Sequence, residues 1–386
     1  MSSVLLKNIA TIVSGDISAP ILAGDAILVA EGKIIKVGME SELNRAQVDM
    51  TIDCAGTTVT PGLFDSHCHV VLGDYSPRQK QIGFLESEVH GGVTTFISAG
   101  EVHLAGRPKD PAGTKALAIV AAKSFANFRP GGGKVVGGAV ILEKGLIQAD
   151  FEEMAHAGVR TVGEVGLGSV KNPEDAAPMV QWAQECGMTV MMHTGGTSIP
   201  GSSTVTAEMV VQTAPDIASH INGGPTAVAL DEVKRLITDT DFALEMVHCG
   251  NPKIMVDAAN LCVEHKALQR IIIGNDAPSG TGVIPLGVLR VIAHLASLSE
   301  IKPEEALCMA TGNTARVHKL PRGIIAAGLE ADLVIMDAPM GSVGEDALAA
   351  IEAGDVPAVS MVLVDGEIVV AKSRNTPPPV RKPVVR

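Results

Sequence analysis

Aromatic side chains are scarce in this 386-residue chain, with one Trp, one Tyr and seven Phe. Stacking platforms for nucleic-acid bases are therefore not expected. Positive charge is also short: 30 Lys and Arg stand against 43 Asp and Glu, a formal net charge of −13. That sign repels phosphate backbones and anionic lipid, so neither a nucleic acid nor a membrane is an expected partner. The six cysteines, Cys54, Cys68, Cys186, Cys249, Cys262 and Cys308, are scattered and form no CxxC pair, which argues against a zinc ribbon or a disulfide framework. No uninterrupted run reaches the roughly 18 apolar residues that a bilayer span requires. The opening MSSVLLKNIATIVSG has no basic n-region and no clear small-residue cleavage site, so a cytoplasmic location is expected.

What remains is globular and rich in turns, 46% hydrophobic with 41 Gly and 22 Pro. Residues 1–61 read as short strands at 4–6, 9–13, 26–30, 34–37 and 53–59, and residues 319–386 repeat the style at 331–336, 358–364 and 367–370 around the turn Asp365-Gly366. Each end is too small to bury a core alone, so the two are expected to pair into one small β-sandwich. Between them, short apolar runs at 62–64, 94–98, 135–141, 161–165, 189–192, 217–220, 242–247 and 271–273 alternate with helix-length amphipathic stretches. That rhythm calls for a parallel sheet with crossovers, and the span 62–318 suits the length of about 250 residues of a closed barrel. The expected fold is α/β, a (β/α)8 TIM-type barrel with a small β-sandwich from the N- and C-terminal segments. An open doubly wound sheet competes, but it would carry a Gly-rich phosphate turn after its first strand. Here that turn reads Asp65-Ser66-His67-Cys68-His69.

A closed barrel gathers the carboxyl ends of its strands on one rim. Ligand-type residues recur at those ends: His67 and His69 after the first run, Glu164 in the fourth, His193 after the fifth, His220 in the sixth and Asp276 after the eighth. Two apart in an extended segment, His67 and His69 point the same way at about 6.5–7 Å, close enough to share one cation. A bare HxH is more often a polar loop, but Pro61-Gly62 before it and the later ligand types favour a metal. Cys68 alternates to the opposite side and is expected to pack. Taken singly, His193 and His220 read as buried, hydrogen-bonded histidines. Each meets an apolar run and precedes glycines, Gly195-Gly196 and Gly223-Gly224, that allow close approach. Glu164 and Asp276 would be costly to bury unpaired, a cost that a cation offsets. Mixed nitrogen and oxygen ligation without thiolate suits zinc, ferrous iron or manganese.

These residues, with the stretch Thr60-Pro61-Gly62-Leu63-Phe64-Asp65 before them and Gly328-Leu329-Glu330-Ala331-Asp332-Leu333-Val334 and Val364-Asp365-Gly366 near the end, resemble the amidohydrolase superfamily of metal-dependent cyclic-amide hydrolases. The resemblance covers nearly the whole chain. It implies a centre of two divalent ions, with His67, His69 and Asp276 on one, His193 and His220 on the other and Glu164 bridging. Many binuclear members bridge with a carboxylated lysine instead; glutamate is shorter, so its backbone must lie closer to the ions. Two divalent ions against Glu164, Asp276 and a bridging hydroxide leave a small positive charge, suited to an anionic transition state. The implied reaction is attack of hydroxide on a ring carbonyl, with Asp276 carrying the proton to the departing nitrogen.

The substrate that the resemblance favours is a small anionic lactam, whose carboxylate needs a cation or donors. Arg78, Lys80, Arg107 and Lys109 follow the first two runs, and His103 and His248 follow the second and seventh; these are the candidates for binding it. His90, His156, His265, His294 and His318 read as surface or structural. A mononuclear heterocyclic-amine deaminase would share His67, His69, His193 and Asp276 but leave Glu164 no bridging role. A hydrolase of dihydropyrimidines, hydantoins or dihydroorotate is a further alternative, and a non-catalytic barrel serving as scaffold would have lost ligands. The resemblance alone suggests a homo-oligomer, for instance a tetramer. The tail from Arg374, rich in proline and basic residues, is expected as a frayed end or subunit arm.

Overall fold

The computed structural model describes residues 3–43, 47–70, 72, 81–102, 104, 106–197, 202–223, 227–278 and 286–386. Among these, eight parallel strands follow one another: β1 (Leu63–Cys68), β2 (Val93–Ser98), β3 (Lys134–Val136), β4 (Thr161–Val165), β5 (Thr189–Met192), β6 (Ile217–Ala218), β7 (Ala243–Val247) and β8 (Ile271–Gly274). The first three form one ladder and the last five another, each in sequential order. Single bridges close both seams, Val140 to Val162 beyond β3 and Cys68 to Ala277 beyond β8. The expected (β/α)8 barrel is the observed fold.

Period-two alternation sorts the strand residues into two sets. Phe64, Ile97, Met191, Ile217, Ala243 and Ile272 form one cluster with Ala315 from after the last barrel strand, which fills the barrel as a core. Their neighbours Leu63, Phe96, Val162, Val190, Leu244 and Ile273 belong to the large core shared with the outer helices. Those helices start where local chemistry allows. Pro111–Asn127, Pro173–Glu185 and Pro252–Glu264 each open on proline, at a position whose N–H would be unpaired anyway. Asn251 caps the last of these, its side-chain oxygen accepting from Lys253 N at 2.9 Å and Ile254 N at 3.2 Å. No helix among the described residues is long and apolar enough to cross a membrane.

The two ends of the chain share one nine-stranded sheet. Met50–Pro61 runs through its middle, parallel to Ser3–Val13 and antiparallel to Leu333–Asp337. The outer strand Lys33–Gly38 reaches the segment before Leu333–Asp337, because Ile34 N donates to Leu329 O at 2.9 Å and Ala331 N to Gly32 O at 2.9 Å. The small sandwich expected from the termini is thus one sheet folded back over a core of Leu6, Ile12, Ile27, Ile52, Leu333 and Leu363. The tail is docked, contrary to the frayed end expected. Val384–Val385 pairs antiparallel with Met50–Pro61, and the Arg381 guanidinium grips Asp337 and donates to Gly56 O at 2.7 Å. At the junction with the barrel, Lys134 Nζ lies 2.6 Å from Glu330, 2.8 Å from Asp332 and 2.7 Å from Asp365.

Candidate metal centre

Backbone ladders bring the six rim residues together. Asp276 N donates to His67 O at 2.8 Å and His69 N to Ala277 O at 2.8 Å, which seats the end of β8 against β1. Glu164 N donates to Ala99 O at 3.0 Å and His193 N to Val165 O at 3.1 Å, aligning the ends of β4 and β5. His220 and Asp276 leave their strands in the left-handed region, at φ 33° and 57°. Non-glycine residues occupy that region at a cost, and such strain concentrates at functional sites.

All six side chains are buried, and Glu164 stands at their centre. One of its oxygens, Oε2, lies 3.5 Å from His67 Nε2 and 3.4 Å from His69 Nε2. The other, Oε1, lies 2.5 Å from His220 Nε2 and 3.4 Å from His193 Nδ1. Asp276 Oδ1 completes the first group at 3.2 Å from His69 Nε2 and 3.6 Å from His67 Nε2. His67, His69 and Glu164 offer one set of converging ligand atoms, and Glu164, His193 and His220 a second. Among the described residues His67 Nε2 is buried without a hydrogen-bond partner, an expensive state for a polar atom that a cation in the gap would relieve. The donor set therefore fits a pair of divalent ions spanned by one carboxylate.

The crowding of acids and imidazoles also shifts their protonation. Burial pushes Glu164 towards neutrality, yet His67 and His220 hold its carboxyl well below the usual range. Burial likewise opposes charge on His69, but Asp276 and Glu164 push it up to about 9. Next to the cluster, burial pushes Asp65 up to about 7; its Oδ1 accepts from His67 N at 3.1 Å and Asn275 N at 2.8 Å. Glu245, a residue that spacing along the sequence does not single out, lies inside β7, fully buried and 2.6 Å from His67 Nδ1. Its one available sequence signal is an isolated acid within the apolar run 243–247.

The expected substrate-binding residues fare differently. Arg78, Lys80 and His103 lie outside the described residues. Arg107 pairs with Glu143 at 2.9 Å, and Lys109 is exposed. His248 is half-buried against His294, with ring centroids 6.5 Å apart. None of these three is in the ion pairs around Glu164. Cys68 packs as expected, its Sγ donating to Ile97 O at 3.3 Å. His318 is buried, with neither ring nitrogen partnered among the described residues.

A model of the amidohydrolase family matches residues 58–369. The chain belongs to the amidohydrolase family. Members of the amidohydrolase superfamily use divalent metal ions, in keeping with the two converging ligand sets. This amidohydrolase is 61% identical over 381 residues to an enamidase of Eubacterium barkeri, covering 99% of each chain. The crystal structure of an enamidase, described as a new member of the amidohydrolase superfamily, matches it with a TM-score of 0.97, at 60% identity over 100% of both chains. A β-aspartyl dipeptidase from Fervidobacterium islandicum AW-1 shares the fold at a TM-score of 0.66 and 18% identity, over 96% of each chain.

Proposed function

We propose that this amidohydrolase opens a carboxylated, unsaturated lactam, 6-oxo-1,4,5,6-tetrahydronicotinate, and with two waters yields 2-formylglutarate and ammonia, the enamidase reaction. The observation that carries the reading is the Glu164 carboxylate, whose two oxygens face two separate histidine pairs. The 61% identity to an enamidase along the whole chain supports the choice of substrate. His67, His69 and Asp276 would hold one ion, His193 and His220 the other, with Glu164 between them; zinc, ferrous iron and manganese all suit these ligands. Bound there, divalent ions supply Lewis acidity, which lowers the pKa of water from ~15.7 to about 7 and polarises a carbonyl.

The chain's own residues do the rest. Asp276, fixed by its left-handed backbone and by His69, takes the proton of the attacking water on its carboxylate. It returns that proton to the ring nitrogen as the C–N bond breaks. The released enamine tautomerises to an imine, which a second water converts to the aldehyde with loss of ammonia. Phe64, Met191 and Ile272 close the barrel beneath the centre, so substrate meets the cluster from the rim.

Loaded with zinc, ferrous iron or manganese in turn, the protein is expected to carry about two ions per chain. In a screen of five- and six-membered lactams, imides and ureides it is expected to prefer the carboxylated unsaturated lactam. Activity confined to dihydropyrimidines or hydantoins reassigns the substrate, and full activity with a single ion favours the mononuclear deaminase. His67→Ala is expected to lose both ion uptake and turnover; an active, metal-free variant overturns the site. The homo-oligomer expected from the family resemblance is read in the same preparations by sedimentation.

A further inference from the structure

Each of the four clustered imidazoles turns one nitrogen towards Glu164 and the other towards the surrounding protein, and the outer nitrogens meet different chemistry. His69 Nδ1 faces the carbonyl of Gly100 at 3.1 Å, and His193 Nε2 faces the carbonyl of Gly196 at 2.9 Å. Among the described residues His220 Nδ1 is buried without a hydrogen-bond partner. His67 Nδ1 instead meets a carboxylate, Glu245 Oε2, at 2.6 Å. Glu245 comes from β7, a strand that supplies none of the six rim residues, and it is fully buried. Its second oxygen accepts from Ser66 Oγ at 2.6 Å, so the carboxylate is aimed from two sides. A charge buried in this way acts on its neighbour far more strongly than one in water.

We infer that Glu245 is a positioning residue that fixes the His67 tautomer and makes the ion position served by His67, His69 and Asp276 the tighter of the two. With Nδ1–H donated to Glu245, the His67 lone pair is fixed on Nε2, the atom that points into the cluster without a partner. An anionic partner behind an imidazole locks the ring and raises its basicity as a ligand. The carbonyls behind His69 and His193 do this more weakly, and among the described residues no group partners the outer nitrogen of His220, which meets Glu245 Oε2 only through its backbone N at 3.4 Å. The two positions are thus unequal by construction, although each draws on two imidazoles and on Glu164.

The inference rests on the two-ion reading, and its test separates the two. Metal-free full-length protein is titrated with zinc in competition with a chromogenic chelator. The parent is expected to take up two equivalents in two resolved steps. In Glu245→Gln, which keeps an acceptor for His67 but removes the charge, the tighter step is expected to weaken by about 10- to 100-fold while the other stays within about threefold. A parent that takes up fewer than two equivalents removes the two-ion reading and this inference with it. A parent with two steps and a variant in which neither moves, both move alike, or the weaker alone moves overturns the role of Glu245 and leaves the two-ion reading standing. Should Glu245→Gln fail to fold, Glu245→Asp decides. It keeps the charge but withdraws it from His67, so loss confined to the tighter step supports the inference, and unchanged steps overturn it.

Discussion

Glu88, on the helix Gln81–Val89, is fully buried behind β8. Its carboxylate accepts from Leu286 N at 2.9 Å and from Asn275 Nδ2 at 3.3 Å. Burial, helped by the charge of Asp65, pushes its pKa from 4.5 up to about 8. Across that window the folded chain holds a proton that the unfolded chain releases, so this group makes stability fall as pH rises. Glu88→Gln abolishes the titration. Its amide has a natural partner, because Asn275 Oδ1 is unpaired among the described residues and a turn of the Asn275 amide lets that oxygen accept from the new NH2 group. The variant is expected to melt higher than the parent at pH 8, with an advantage that shrinks towards pH 5; an advantage independent of pH would count against the assignment. Single residues also show what the sequence makes visible. His67, His69, Glu164, His193, His220 and Asp276 stand at the ends of apolar runs, where barrel topology alone puts them on one rim. Glu245 stands inside such a run, where no spacing marks it. The cost of burying an unpaired carboxylate, which singles out Glu164, applies to Glu245 with equal force.

At the scale of strands, apolar runs locate all eight barrel strands but not their ends, and the reasons lie in the backbone. The run 135–141 keeps its ladder only at Lys134–Val136, because Gly137 and Gly138, the latter at φ 80°, divert the chain before Val140 rejoins β4. The run 217–220 keeps Ile217–Ala218, because His220 turns into the left-handed region. Hydrophobicity reports burial, whereas ladders end where dihedral angles change. Gly163 makes the point testable. A Cβ at this position would lie 2.5 Å from Ala99 O, the carbonyl that accepts from Glu164 N. Gly163→Ala must push β4 away from the end of β2 and carry Glu164 with it. The expected cost is about 1–3 kcal/mol of stability, together with lower zinc uptake by the folded protein. Gly83→Ala provides the contrast: among the described residues nothing lies within 4 Å of its added carbon, so inside its helix it is expected to stabilise by up to ~1 kcal/mol and to leave zinc uptake unchanged. Equal effects of the two variants on ion uptake would show that the β4 register does not set the place of Glu164.

For the molecule as a whole, the joint between barrel and terminal sheet turns on a cation that the chain supplies itself. Glu330, Asp332 and Asp365 offer oxygens close enough to share a metal ion, but Lys134 Nζ lies within 2.8 Å of all three. Arg322 adds a contact to Glu330 at 2.7 Å, and Arg129 one to Asp365 at 2.5 Å. No local pattern announces this joint, since Lys134 is 196 residues from Glu330 and 231 from Asp365. Burial raises the Asp332 pKa above 3.8, and Lys134 is the foremost charge opposing that rise. Lys134→Met keeps the aliphatic stem and removes the charge, leaving a buried carboxylate short of its partner, a change that costs on the order of 3–5 kcal/mol. The sign of its pH dependence follows. Without Lys134 the burial of Asp332 is opposed mainly by the hydrogen bond from Asp365 N at 2.9 Å and, after it, by Arg322 at 3.9 Å, so its folded pKa climbs further above the unfolded value. The folded variant then holds a proton that the unfolded chain has released, and its stability drops as pH rises through the new pKa. Thermal melts of parent and variant should show a larger gap at pH 8 than at pH 5, while zinc uptake at the rim of the folded variant stays at the parental level. A gap of the same size at both pH values would mean that the charge of Lys134 does not join the two parts.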